Sequence, residues 1–237
     1  NIKTNTCTFT VAANAYVLST GTLSAGRFER RFQSVNSNLN SGAYTVHSFY
    51  LLGMTLVDID GGTFTNTHTT TGGCIFYSQE AYGPVYVRNA TFNAYLGMIL
   101  ATSTRQSAMT KITNCNFTSP ATWGGVAIKL GESTAGTVPT ITGTVIEGCK
   151  ILNYRTGIEN YSSEIDVINN VIYCNNPLIF YGCVKNVIKN NTLKAITSAD
   201  PGRCLVLGRK RVSNAVKGTG QTVFTSPVQS IAALADL

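Results

Sequence analysis

Acid–base chemistry has few residues to draw on in this chain, which carries eleven Asp and Glu among 237 residues. Three of them recur at matching places. Glu80, Glu132 and Glu164 follow Ile75, Ile128 and Ile158, each in a short apolar segment, by four to six residues. If those segments stack as strands, the three carboxylates line one flank, with Glu132 and Glu164 in consecutive strands about 5 Å apart. Hydrolysis of a glycosidic bond requires two carboxyl groups about 5–10 Å apart, one held protonated and one ionised. Arg105 falls between Glu80 and Glu132, where it could tune a carboxylate or hold an anionic sugar. Trp123, Tyr95, Tyr154 and Tyr161 lie near the same segments and could stack on sugar rings. The plainer reading of all these residues is solvated loop charges and aromatics that plug the core.

Other chemistries find less support. Asp58 and Asp60 alternate with Val57 and Ile59 and so share one strand face, but no further carboxylates nearby make up a calcium site. Glu147 and Glu159 each adjoin an inward-facing residue and are expected to point into solvent. Seven cysteines show no paired-cysteine spacing and histidines number two, so a zinc site is not expected. The odd cysteine count argues against a disulfide framework. Cys115 and Cys149 fall in the same slot of successive repeats, within bridging range, yet buried free thiols are the expected state. No nucleophile elbow stands out. The expected cofactor and metal content is none.

The elements that must position these residues repeat. Val167-Ile-Asn-Asn-Val-Ile172 and Ile188-Lys-Asn-Asn-Thr-Leu193 are two copies of one phrase, 21 residues apart. Four more copies begin at Ile59, Val87, Ile112 and Ile146. Each opens on Ile or Val, bends at Asn, Gly, Ala or Cys, and closes five residues later on a large apolar residue. A second apolar strand follows each, marked by Ile75, Ile99, Ile128, Ile158, Ile179 and Leu205. Asn and Gly tolerate the left-handed bend that lets a chain turn a corner without a loop. Asn89, Asn114, Asn169 and Asn190 share one bend position, and Asn170 and Asn191 the next, so stacked repeats would allow an amide ladder. The pattern predicts an all-β, single-stranded parallel β-helix. A β-sandwich also has short alternating strands, but it does not repeat a bend phrase in register.

Residues 1–55 are expected to be irregular first coils or an N-terminal cap, with Arg27-Phe-Glu-Arg-Arg-Phe32 a short helix or an inserted loop. Residues 56–211 are expected to form the helix body, and 212–237 a C-terminal cap or oligomerisation segment. Ser226-Pro227 is a helix start signal, and Val228, Ile231 and Leu234 line one face of the short helix it predicts. The chain opens on Asn without a visible signal peptide, which is expected of a mature product or an excised fragment. No apolar run is long enough to span a membrane, and membrane insertion is not expected. The net charge of +7 favours anionic partners. Nucleic acid is not among those expected, because basic residues are scattered apart from Arg209-Lys210-Arg211 and no recognition helix is apparent.

The repeated Asn/Gly phrase, the low-charge Ser/Thr/Asn surface and the unpaired cysteines resemble the central domain of bacteriophage tailspike and tail-fibre proteins. The wider class is the right-handed parallel β-helix of pectate-lyase-like enzymes. The resemblance covers roughly residues 56–208. It implies a homotrimer on the phage tail, assembled in the host cytoplasm and acting outside it, that binds and often cleaves capsular or O-antigen polysaccharide on a bacterial surface. An endo-acting depolymerase using Glu132, Glu164 and Glu80 is the enzymatic form of that expectation. A non-enzymatic adhesin or structural fibre, and a secreted polysaccharide lyase, are the alternatives. The acidic cluster usual for the lyases is missing.

Overall fold

The computed structural model describes residues 1–11, 16–19, 30–43, 48–69, 75–79, 83–101, 109–121, 123–131, 143–161, 164–181, 186–196 and 203–208. These residues are all-β, with strands and no helix, and the strands form three eight-stranded sheets. Every third strand along the chain enters the same sheet. We call the sheet that begins with Ile2–Asn5 sheet A, that beginning with Thr8–Thr10 sheet B, and that beginning with Leu18–Ser19 sheet C. Three successive strands, one per sheet, make a coil, and each coil pairs in parallel with the next.

The corner from A to B shows why this sequence repeats. It is always two residues long, and its first residue is left-handed in every coil: Thr6, Asn36, Gly61, Asn89, Asn114, Gly148, Asn169 and Asn190. Asn and Gly hold seven of these eight places because the conformation costs them least. The second corner residue turns inward and is small or an amide: Ser37, Ala90, Cys115, Cys149 and Asn170 are each at most 1% exposed. Corner amides and carbonyls find partners one coil away, as in Asn36 N to Asp60 O at 2.8 Å and, to the corner carbonyl of Cys115, Lys150 N at 2.9 Å. No corner needs a loop to satisfy its backbone.

Inward residues stack on their own kind along the molecule. In sheet B, Phe64, Phe92 and Phe117 pile up with ring centroids 5.2 and 4.8 Å apart, the spacing of successive strands. One column of sheet A runs Val57, Val85, Thr110, Thr144 and Ile165, two buried threonines among the apolar residues, and Ile59, Val87, Ile112, Ile146 and Val167 fill the other. Met98, Ile128, Ile158 and Leu178 fill sheet C.

All six sequence phrases form the A-to-B corner as expected. Residues described within 1–55 add two further coils in the same register. Arg31–Val35 is a strand, and Phe32 within it is core, so that end of the Arg27–Phe32 segment is neither helix nor loop. Ile99 and Ile179, which mark second strands in the sequence, are half-buried and face out, while Met98 and Leu178 occupy the core column. Coil six carries one extra residue, Asn153, at its B-to-C corner with φ of 66°, which shifts the strand phase by one. Residues 212–237, and with them the expected C-terminal helix, lie outside the described residues. Among the described residues no helix is long and apolar enough to cross a membrane.

Candidate functional site

The A-to-B connection never varies, whereas the connections at both edges of sheet C do. Residues 131–143 and 161–164 both join sheet C to sheet A, in successive coils. Variable connections round a rigid sheet are where binding residues collect, so the outward face of sheet C is the face to read.

That face carries a cluster in coils five to seven. Parallel register sets Lys129, Glu159 and Ile179 side by side, and Leu130, Asn160 and Phe180 behind them in the core. Tyr161 and Tyr181, the next residues along, stack at 4.6 Å between centroids and 13° between planes. The Tyr161 hydroxyl donates to Glu159 Oε1. Lys129 Nζ sits 5.6 Å from the Tyr161 ring centroid, close enough for a cation–π contact. Partial burial first, and the hydrogen bond to Glu159 second, push the Tyr161 phenol well above its ordinary pKa, so it remains a donor. At the other end of the face Tyr16 and Tyr50 form a second pair, 5.5 Å apart and tilted by 43°. The outward face of sheet C therefore presents flat aromatic surface with a carboxylate, an ammonium and a phenol beside it.

The sequence-predicted residues divide into three groups. Glu80, Glu132 and Arg105 lie outside the described residues. Glu164 stands at the C-to-A corner just before strand Ile165–Ile168, left-handed at φ 63°, its carbonyl accepting from Thr144 N at 3.3 Å. Tyr95 and Trp123 occupy the B-to-C corner of successive coils. Trp123 is left-handed, φ 64°, and its amide donates to Asn153 O at 2.9 Å. Tyr95 packs on bare backbone: a Cβ on Gly125 would lie 1.8 Å from Tyr95 O, and one on Gly124 2.7 Å from the Tyr95 ring. Tyr154 differs from its partners on that shortlist, being fully buried and offering no surface to a ligand. Tyr161 lies in the sheet C cluster.

Sequence reasoning passed over Lys129 and set Glu159 aside as a solvent-facing charge. The available signal was Tyr161 and Tyr181 themselves, but they fall at different distances from their bends at Gly148 and Asn169 because of Asn153. Nothing in the sequence alone fixes that phase.

A second cluster lies on sheet A. Asp58 and Asp60 face outward between buried Val57 and Ile59, as their alternation predicts. Arg88, one coil on, binds both carboxylates, at 2.6 Å to Asp58 and 2.9 Å to Asp60. Asn89 Nδ2 adds a bond of 2.8 Å to Asp60. Burial draws the Arg88 pKa down, but the two carboxylates outweigh it and the guanidinium is held charged. This is a cross-strand clamp with both acids engaged by a permanent cation, not an acid–base pair. Among the described residues no group of three or more His, Cys, Asp or Glu is placed to hold a metal ion.

No family model, curated protein or solved structure matches the chain.

Proposed function

We propose that the chain is a right-handed parallel β-helix of the tailspike kind that binds a bacterial surface polysaccharide on the outward face of sheet C. The observation that carries this reading is the stacked Tyr161–Tyr181 pair with Glu159 and Lys129 beside it. Aromatic faces take up the apolar side of a sugar ring at little entropic cost, and the flanking charged and phenolic groups fix its hydroxyls. A rigid sheet holds these groups in place before a ligand arrives, which limits the ordering cost of binding.

Binding without cleavage is the form of this reading that the engaged carboxylates favour. Asp58 and Asp60 are tied to Arg88 and Glu159 to Tyr161. A depolymerase of the kind expected from the sequence would draw on Glu164 together with Glu132 or Glu80.

The test is a panel of capsular and O-antigen glycans, with affinity measured by calorimetry and chain length by size-exclusion chromatography. Tyr181→Ala and Tyr161→Ala are each expected to weaken binding about 10- to 30-fold, as loss of an interfacial aromatic anchor does. Absence of binding across the panel, or binding indifferent to both substitutions, overturns the reading. Shortened chains that stay long with Glu164→Gln or Glu132→Gln would make the protein an endo-acting hydrolase. Sedimentation of the full chain as a monomer would remove the homotrimer from the proposal.

A further inference from the structure

Sheet B carries an array on its outward face that the tyrosine cluster does not use. In the first five coils its outward residues form two ranks along the molecule. One rank is Thr8, Asn38, Thr63, Thr91 and Asn116, and the other is Thr10, Asn40, Thr65, Asn93 and Thr118. All ten positions are Thr or Asn, and none is buried. The outward residues of sheet A in the same five coils are Lys3, Asn5, Gln33, Val35, Asp58, Asp60, Tyr86, Arg88, Lys111 and Thr113, a mixture of charge, apolar and aromatic groups. General Thr and Asn richness therefore does not explain the array. It also stops: the next coils place Lys150, Leu152, Val171 and Tyr173 on that face.

Among the described residues none of the six threonine hydroxyls has a hydrogen-bond partner. Asn38 Oδ1 accepts from Thr63 N at 2.9 Å and Asn40 Oδ1 from Gly42 N at 3.3 Å, which leaves both side-chain amide groups as donors. Beneath the array, Phe64, Phe92 and Phe117 are stacked at 5.2 and 4.8 Å and hold its backing rigid. Sites repeat about 4.8 Å apart along each rank, and the ranks lie about 7 Å apart along the strand.

A partner that reads this face must be uncharged, periodic in two directions, and able to exchange one hydrogen bond at each site. A single sugar lacks the periodicity. A crystalline glycan has it, but would be expected to meet aromatic platforms, and the ten array positions include none. Ordered water meets every requirement, its oxygens lying on a lattice with repeats on the same scale and the threonine methyl groups seating between them. We infer that the outward face of sheet B in coils one to five binds the surface of ice. The inference uses a different face from the glycan reading and stands or falls separately from it.

The experiment grows polycrystalline ice slowly from a solution of the full chain and compares protein in the ice with protein in the liquid. Thermal hysteresis is read on the same samples. Thr63→Lys and Thr65→Lys interrupt the centre of the two ranks, one in each, and Thr113→Lys on sheet A is the control. These are surface positions, so matching thermal melts are expected; if either array variant melts early, Thr118→Lys replaces it. The parent and Thr113→Lys are expected to enrich in ice and slow its growth, and the array variants to lose both properties. Exclusion of the parent from ice, or equal enrichment of all variants, overturns the inference. So does array-dependent adsorption to microcrystalline chitin or cellulose without enrichment in ice, which would make the face a glycan site.

Discussion

Asn169 and Asn170 stand side by side in one corner and do different work. Asn169 supplies a left-handed backbone, φ 57°, and its place is taken by Gly61 and Gly148 in other coils. Asn170 is buried and uses both ends of its amide: Oδ1 accepts from Cys149 N at 2.8 Å, and Nδ2 donates to Ile146 O at 2.9 Å and Asn191 Oδ1 at 3.0 Å. Asn170→Ala strands buried backbone groups and is expected to cost about 3 kcal/mol in urea unfolding, whereas Asn169→Gly should change stability by less than about 1 kcal/mol. Similar losses at the two sites would refute this division. An amide ladder was expected at either position, and the pattern could not say which, because a bend and a buried amide both select Asn. Ionisation gives a second prediction at this scale. Burial pushes the Cys174 thiol from 9.0 up to about 12. Cys149 also moves upward, by its hydrogen bond to Cys115 first and burial second. That same bond draws Cys115 down. The direction that holds for this pair is upward, since its second proton leaves a buried, already charged site. A raised thiol pKa contributes stability that is whole below the unfolded value near 9 and is lost as pH climbs toward 12. Between pH 9 and 10.5 the Cys174 share of that loss is about 2 kcal/mol. Denaturant unfolding at both pH values should show the parent losing that much more than Cys174→Ala; parallel losses would contradict it.

At the scale of the element, the coil is held by columns of inward residues, and the phenylalanine column of sheet B is the longest aromatic stack among the described side chains. Phe92 is the middle ring, fully buried, with a neighbour on each side. Phe92→Ala is expected to cost about 3–5 kcal/mol, and Phe92→Leu about 1–2 kcal/mol, because leucine refills most of the column. Thermal or urea melts of the two variants check this, and an alanine variant as stable as the leucine one would mean the column collapses freely. The coils most legible in the sequence were those whose phrase opens on Ile or Val and closes on a large apolar residue. Coils one and two keep the closing residue, Phe9 and Leu39, but place Thr4 and Ser34 where Ile59 stands in coil three. Their strands pair in the same register, so the sheet tolerated a polar residue that the pattern did not. The candidate site was harder to read than the fold. It depends on which outward residues become neighbours across coils, and a single inserted residue at Asn153 moves every later side chain of that strand by one place.

For the whole molecule, stacked coils that each touch only the coil before and the coil after give stability as a sum of neighbour contacts. A coil in the middle has two such contacts and a coil at an end has one. Burial follows the same gradient. Strands Ile2–Asn5 and Thr8–Thr10 of the first coil, and Val187–Lys189 and Thr192–Ala195 of the last, contain no buried residue. In coil six, Tyr154, Ile158, Ile146 and Ile151 are all fully buried. Local opening should therefore cost least at the two ends and most in the middle, with intermediate coils graded between them rather than unfolding as one block. Peptide-resolved amide hydrogen exchange of the full chain measures this directly. Segments 2–10 and 187–195 are expected to exchange at least about a hundredfold faster than 144–160, a gap of about 3 kcal/mol in opening free energy. The comparison is made under conditions where exchange reports the opening equilibrium, so differences in intrinsic rate can be divided out. Ends that exchange as slowly as the middle would show that something covers them, either a flanking segment or a second copy of the chain. That result would sink the graded, one-dimensional account of how this molecule is held together.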